Sequence, residues 1–131
     1  MFLDASALTA ILVDERDARE LMARMQNYSI RITSPLAVWE TVVAVARILG
    51  LEIKSANAAV EAFLVLASIE VAPVSADARR AALDAFDRFG KGRHPTALNF
   101  GDCFAYACAR QAGVPMLYKG DDFPLTDIET A

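Results

Sequence analysis

Histidine and cysteine are scarce in this sequence, which has one His and two Cys among 131 residues. Because structural zinc sites take four Cys and His ligands, a Cys/His zinc centre is close to excluded. Cys103 and Cys108 stand five residues apart on one predicted helix and point to different faces, so we expect no disulfide between them. Any metal or catalytic chemistry must therefore depend mainly on other polar side chains.

Long apolar runs are also missing. Charges at Glu40, Arg47 and Glu61 break them well short of the roughly 18 residues that a membrane-spanning helix needs. An acid at position 4 and no basic amino-terminal region argue against a signal peptide, so we expect a cytoplasmic protein with no membrane partner. Repeats and linkers are absent, and a hydrophobic content of 55% is too high for disorder. We expect a single domain over residues 1–131.

Strand and helix patterns alternate along the chain. Predicted strands cover Met1–Asp4, Ile30–Thr33, Ile69–Val74 and Pro115–Tyr118. The intervening segments have helical spacing or helix caps: Ser6–Val13 (a turn or short helix), Asp14–Asn27, Leu36–Leu49, Ser55–Ala67, Ala76–Phe89 and the helix after Asn99. This alternation predicts an α/β fold with a mostly parallel sheet covered by helices on both faces.

The stretch Asn99–Ala107 is predicted to turn from a loop into a buried helix. Asn99 is expected to cap the helix, Gly101 to allow a tight turn, and Asp102 to lie in the first turn, where free N–H groups favour negative charge. The helix is apolar on nearly every side, which is typical of a buried helix. A carboxylate at the rim of a core needs a hydrogen bond, a cation or a raised pKa.

Further acids follow the other predicted strands. Asp4 ends the first strand, Glu40 lies early in the helix after the second, and Asp121 and Asp122 follow the last. In parallel α/β sheets the carboxyl ends of the strands share one edge, where ligands bind. Acids gathered there repel one another, which is expected to raise some of their pKa values unless a cation is present. Their oxygen atoms favour Mg²⁺, with Mn²⁺ as the alternative.

The net charge of −4 does not exclude a nucleic acid. Without the four site acids, 13 acids balance 13 bases, so a metal-filled pocket can bind a phosphodiester. The glycine-rich loop either adds phosphate contacts or is simply solvated; its basic residues are Lys91, Arg93 and His94. Acids at the start of the Asp14–Asn27 helix are interpreted as solvated charges that suit the helix dipole; they are Asp14, Glu15 and Asp17.

Four stretches, in order along the chain, resemble those of PIN-domain ribonucleases, specifically the VapC toxins of type II toxin–antitoxin pairs. They are Phe2–Leu8, Glu40, Gly90–His94 leading to Leu98–Cys103, and Tyr118–Phe123. The resemblance implies a three-layer α/β/α sandwich, a Mg²⁺-dependent endoribonuclease, a homodimer, and neutralisation by a VapB antitoxin.

The resemblance also implies which side chains hold the metal. They are Asp4, Glu40, Asp102 and one of the two adjacent aspartates, of which Asp122 is favoured over Asp121. Ser6 matches a small polar residue near the metal, and the remaining candidates for supporting the acids or the substrate are Asp121, Arg93, His94 and Asn99. The metal would activate a water molecule for in-line attack on phosphorus, leaving a 5′-phosphate and a 3′-hydroxyl.

Two other functions remain open from the residues alone. One is another acid-pocket Mg²⁺ phosphohydrolase that uses an aspartate nucleophile. A haloacid-dehalogenase type of phosphatase would require Asp-x-Asp after the first strand, whereas this chain has Ser6 two positions after Asp4. The other is a catalytically silent protein that binds an antitoxin. The sequence does not name the RNA substrate.

Overall fold

The computed structural model describes residues 1–131 and contains four short strands and six helices. The strands are β1 (Phe2–Leu3), β2 (Ile32–Thr33), β3 (Glu70–Val71) and β4 (Met116–Leu117). The helices are α1 (Ala5–Leu12), α2 (Ala18–Gln26), α3 (Pro35–Leu49), α4 (Ile53–Leu66), α5 (Ala78–Phe89) and α6 (Phe100–Ala112). All strand pairs are parallel, in the order β3-β2-β1-β4, which confirms the predicted α/β architecture.

The sheet separates two hydrophobic clusters because successive strand residues point to opposite faces. Phe2 and Met116 belong to the cluster that contains α5 and α6, whereas Leu3 and Leu117 belong to the cluster of α1 to α4. Phe2 lies opposite Met116 in the parallel register, so neighbouring strands present the same alternation to each layer. The result is the expected three-layer sandwich.

Local signals account for several helix ends. Ser34 Oγ accepts from the Ala37 N–H, Pro35 occupies the first turn of α3, and Gly50 ends this helix with φ of 64°. Helix α2, in contrast, begins at Ala18 rather than at the predicted Asp14. Asp14 has φ of 53°, a left-handed conformation that interrupts a right-handed helix.

The helix layers bring the amino end of α6 to the carboxyl edge of β1, where α1 also begins. Helices α5 and α6 pack closely, and Ser75 Oγ hydrogen bonds Gln111 Oε1 at 2.9 Å, so the start of α5 lies near the far end of α6. None of the helices combines the length and the hydropathy that crossing a bilayer requires.

Candidate active site

A cavity of about 400 Å³ opens at the carboxyl edge of β1 and β4. The predicted acids Asp4, Glu40, Asp102 and Asp122 line it, as do Ser6 and Asn99. The cavity is therefore a common space for side chains that are distant in the sequence.

Asp4 is the most deeply buried of these acids, with 4% of its surface exposed. It caps α1, and its Oδ2 accepts hydrogen bonds from Ser6 N at 2.9 Å and Ser6 Oγ at 2.5 Å. Lys119 N donates in turn to Ser6 Oγ at 3.0 Å, so Ser6 connects the ends of β1 and β4. Burial raises the pKa of Asp4; the Ser6 hydrogen bonds oppose this shift, and the charge of Asp122 adds to it.

Glu40 extends from α3 toward the first turn of α6, where Gly101 allows a close approach. A Cβ atom at position 101 would overlap Oε1 of Glu40. Gly101 has no positive φ, so its role is this close approach and not the predicted tight turn. Burial, followed by the charges of Asp4 and Asp102, raises the pKa of half-buried Glu40 to about 7.

Asp102 and Asn99 form a reciprocal capping box at the start of α6. Asp102 N donates to Asn99 Oδ1 at 3.0 Å, and Asn99 N donates to Asp102 Oδ2 at 2.8 Å. Asn99 thus caps α6 as predicted. Burial raises the pKa of Asp102 to about 6, against the lowering effect of the Asn99 hydrogen bond, and the charges of Asp4 and Asp122 contribute further.

Repulsion among the acids was expected to raise some of their pKa values. Neighbouring carboxylates do raise the pKa values of Asp4, Glu40 and Asp102, but burial is the larger cause for all three. Packing against the protein core reduces the solvation of these carboxylates, which disfavours their ionised forms. This loss of solvation raises the pKa values more than the neighbouring charges do.

The two aspartates after β4 are both exposed, but they differ in position. Asp122 lines the cavity, and its charge contributes to the raised pKa values of Asp4 and Asp102. Asp121 does not line the cavity. This geometry favours Asp122 as the fourth acid.

Two basic residues at the cavity, Arg47 and Lys119, were not identified as site residues from the sequence. Arg47 follows Glu40 by seven residues, which is two turns of α3, so helical spacing could have placed it on the same face. Lys119 forms an ion pair with Glu15 and lies 4.0 Å from Asp17 Oδ2. The interpretation of Glu15 as a solvated charge is therefore wrong, because this half-buried residue pairs with Lys119 at the cavity.

The basic loop lies apart from the acids. Arg93 Nη1 pairs with Asp87 Oδ1 at 2.7 Å, and the Arg93 guanidinium lies 5.6 Å from the centre of the Phe86 ring. His94 Nδ1 accepts from Thr96 N at 3.2 Å. Neither Arg93 nor His94 lines the acidic cavity, and Lys91 is exposed outside it.

The cavity has the donor chemistry of a site for a hard cation. Its four predicted ligands offer carboxylate oxygens, and none of them takes part in an ion pair. As the side chains stand, no group of three or more His, Cys, Asp or Glu is arranged to hold a metal ion. The donor set fits a hard divalent cation, and coordination would require the carboxylates to move inward. Asp4 and Asp102 accept hydrogen bonds from Ser6 and Asn99, whereas burial and neighbouring charges alone shift the pKa of Glu40.

Comparisons with known proteins identify the family of the chain. The PIN domain family matches residues 1–129. A VapC ribonuclease of Mycolicibacterium smegmatis is 40% identical over 128 residues, which cover 98% of this chain and 97% of the relative. The ribonuclease VapC30 of Mycobacterium tuberculosis is 38% identical over 130 residues, covering 99% and 97%.

The fold is also found in a solved structure. The crystal structure of Mycobacterium tuberculosis VapC20, described as a sarcin–ricin loop cleaving toxin, matches with a TM-score of 0.78 over 99% of this chain and 97% of that chain. Because the two sequences are only 21% identical, this likeness concerns the fold.

Proposed function

This chain belongs to the PIN-domain family and, within it, to the VapC ribonucleases, and from this membership we propose that it is a toxic Mg²⁺-dependent endoribonuclease whose metal ligands are Asp4, Glu40, Asp102 and Asp122. The observation that carries the ligand assignment is the cavity at the carboxyl edge of β1 and β4, where these four acids meet without an ion-pair partner. Buried acids with raised pKa values are a mark of functional sites.

The four proposed ligands are of two kinds, carboxylates held in place by hydrogen bonds and carboxylates that are free to move. Asp4 is held by Ser6, and Asp102 is held by the Asn99 N–H, so these two define the floor of the site. No hydrogen bond contributes to the pKa shift of Glu40, and Asp122 is exposed, so these two can adjust to the substrate. When bound, Mg²⁺ would supply charge neutralisation of the phosphodiester and a water molecule of lowered pKa. We expect products with a 5′-phosphate and a 3′-hydroxyl.

A VapB-type antitoxin and a second copy of the chain are the proposed protein partners. Support comes from the VapC relatives and from large apolar side chains left exposed on the surface. Val65 and Leu66 at the end of α4 are 81% and 86% exposed, and Trp39 on α3 is 67% exposed. Co-expression with the product of the adjacent gene should yield a complex that no longer cuts RNA. Separate purification of the two proteins would contradict the antitoxin assignment while leaving the nuclease assignment intact.

A cleavage assay on structured RNA tests the nuclease proposal. The purified chain should cut in Mg²⁺ and lose this activity in EDTA, and analysis of the ends should find 5′-phosphates. Equal cleavage in EDTA would contradict metal dependence. Release of phosphate from small phosphomonoesters, with intact RNA, would favour the phosphohydrolase alternative.

A further inference from the structure

The two basic residues at the acidic cavity differ in whether they form an ion pair. The Lys119 ammonium is paired with Glu15 and is near Asp17. Arg47 lines the same cavity, is exposed, and takes part in none of the five ion pairs of the chain. It is therefore the one cation at the cavity whose charge has no partner.

The position of Arg47 places it beside the acids and not among them. Glu40, Ala44 and Arg47 line the cavity from one face of α3. Seven residues of helix separate Glu40 from Arg47 by about 10 Å along the axis. Arg47 thus starts from the helix two turns beyond Glu40, and this backbone separation suits a neighbouring part of the substrate and not the phosphodiester that is cut.

An RNA strand that enters this cavity meets four carboxylates, which repel its phosphates. A guanidinium at the rim can offset this repulsion, and its planar set of N–H donors matches two oxygens of one phosphate. Arg47 can do so without breaking an ion pair. Arg93 of the basic loop would first have to leave Asp87.

We propose that Arg47 binds a phosphate next to the scissile phosphodiester and thereby holds the RNA strand across the acidic cavity. The inference rests on the proposed nuclease function and adds a substrate-binding residue to it. It replaces the basic loop, from which phosphate contacts were considered, as the main cationic contact near the site.

The test compares Arg47→Gln with Arg80→Gln, which removes the same charge from exposed Arg80 in the first turn of α5. Ser75, just before α5, bonds Gln111, so Arg80 lies toward the end of α6 that is remote from Asp102. Binding of a short fluorescent single-stranded RNA in EDTA is measured over a series of KCl concentrations. Each phosphate contact to a single strand contributes about 0.7 to the slope of log K against log salt. Arg47→Gln should lower the slope by about that amount, and Arg80→Gln should leave it unchanged.

Kinetics in Mg²⁺ provide a second readout that a merely structural role would not move. Arg47→Gln should raise KM by about 5-fold to 10-fold with kcat nearly unchanged, since the contact binds substrate and transition state alike. Arg47→Lys should recover much of the loss because it restores the charge. An unchanged salt slope and KM in Arg47→Gln, with wild type still cutting RNA, would overturn the inference alone. Failure of the wild type to cut RNA in Mg²⁺ would instead overturn the proposed function.

Discussion

Carboxylates on α5 or paired with its arginine, and the proposed metal ligands at the cavity, have opposite environments. Arg88 Nη2 pairs with Asp127 Oδ2 at 2.9 Å, and Tyr106 Oη donates to Asp127 Oδ1 at 2.5 Å. The Tyr106 hydrogen bond is the largest cause that lowers the pKa of Asp127, and Arg88 lowers it further. Asp84 and Asp87 also have arginine partners. Asp127 is therefore stabilised in its ionised form.

The four proposed metal ligands at the cavity have no ion-pair partner. The pKa values of Glu40 and Asp102 rise to about 7 and about 6, and that of buried Asp4 rises as well. Ionising these groups at neutral pH opposes folding, whereas ionising Asp127 favours it. The fold thus pairs the acids around α5 with arginines. It leaves the proposed metal ligands without a compensating positive charge. Each prediction below tests this difference.

The largest expected effect is on catalysis. Asp102→Asn removes a proposed metal ligand, so RNA cleavage should fall by at least about 100-fold. The amide oxygen can still accept from Asn99 N, so far-UV circular dichroism should stay native. The matched control is Asp84→Asn on α5, which breaks only the exposed pair with Arg88 and should leave cleavage unchanged. A folded Asp102→Asn protein that cuts at the wild-type rate would contradict the assignment.

A smaller but sharper effect is expected at the contact between α6 and Glu40. Gly101→Ala should change the stability of the fold by less than about 1 kcal/mol, because the new methyl group displaces only the flexible end of the Glu40 side chain and Ala is the better helix residue. It should also lower RNA cleavage, since Glu40 must move. Urea denaturation measures the first effect, and the cleavage assay measures the second.

The control uses the double variant. In a Glu40→Ala background the obstructing atoms are gone, and Ala is a better helix residue than Gly by about 0.5–1 kcal/mol. Gly101→Ala should then stabilise the protein. If Gly101→Ala stabilises the protein equally in both backgrounds, the Glu40 carboxylate is not what requires a glycine at position 101.

Residues that follow local rules were predictable from the sequence. Asn99 caps α6 and Ser34 caps α3 because side-chain oxygens meet the free N–H groups of a helix start three residues away. The alternation of strands and helices predicted the parallel three-layer fold, which is confirmed. The four acids meet at one cavity because parallel strands end at one edge.

Contacts between distant segments were not predictable in the same way. Lys119 and Glu15 are 104 residues apart, and nothing near Glu15 distinguishes it from a solvated helix acid. The sequence also did not show why residue 101 is a glycine, since this depends on how closely α6 approaches Glu40 of α3. The left-handed backbone at Asp14 likewise depends on how α1 ends and not on the helical pattern that follows. Such features follow from tertiary packing.

Removing and restoring the metal should change the order of stability of two proteins. In EDTA at neutral pH, Asp102→Asn should melt above wild type by roughly 4 °C, because it deletes a charge that burial opposes. Added Mg²⁺ should reverse the order. A ligand that binds only the folded state stabilises it by about 1.4 kcal/mol at ten times its dissociation constant, and the variant lacks one ligand. If added Mg²⁺ does not change the melting temperature of the wild type, the proposal that these acids bind one metal site is wrong.

The smallest expected effect is the pH dependence of stability in EDTA, where the two kinds of carboxylate should act with opposite signs. Glu40 binds a proton more tightly in the folded state, since its pKa rises from 4.5 to about 7. Its contribution to folding is complete below pH 4.5 and is lost as the pH rises through about 7. Glu40→Gln stays neutral, so it should match wild type in acid and exceed it by about 1 kcal/mol above that range.

Asp127→Asn provides the opposite case. The pKa of Asp127 is lowered in the folded protein, so its contribution is present above the ordinary pKa of 3.8 and is lost as the pH falls through the folded value. The variant should be less stable than wild type at neutral pH and approach it in acid. Urea denaturation over a pH series measures both differences. If Glu40→Gln and Asp127→Asn shift stability in the same direction at neutral pH, the cavity acids are compensated like those of α5, and the contrast between the two regions fails.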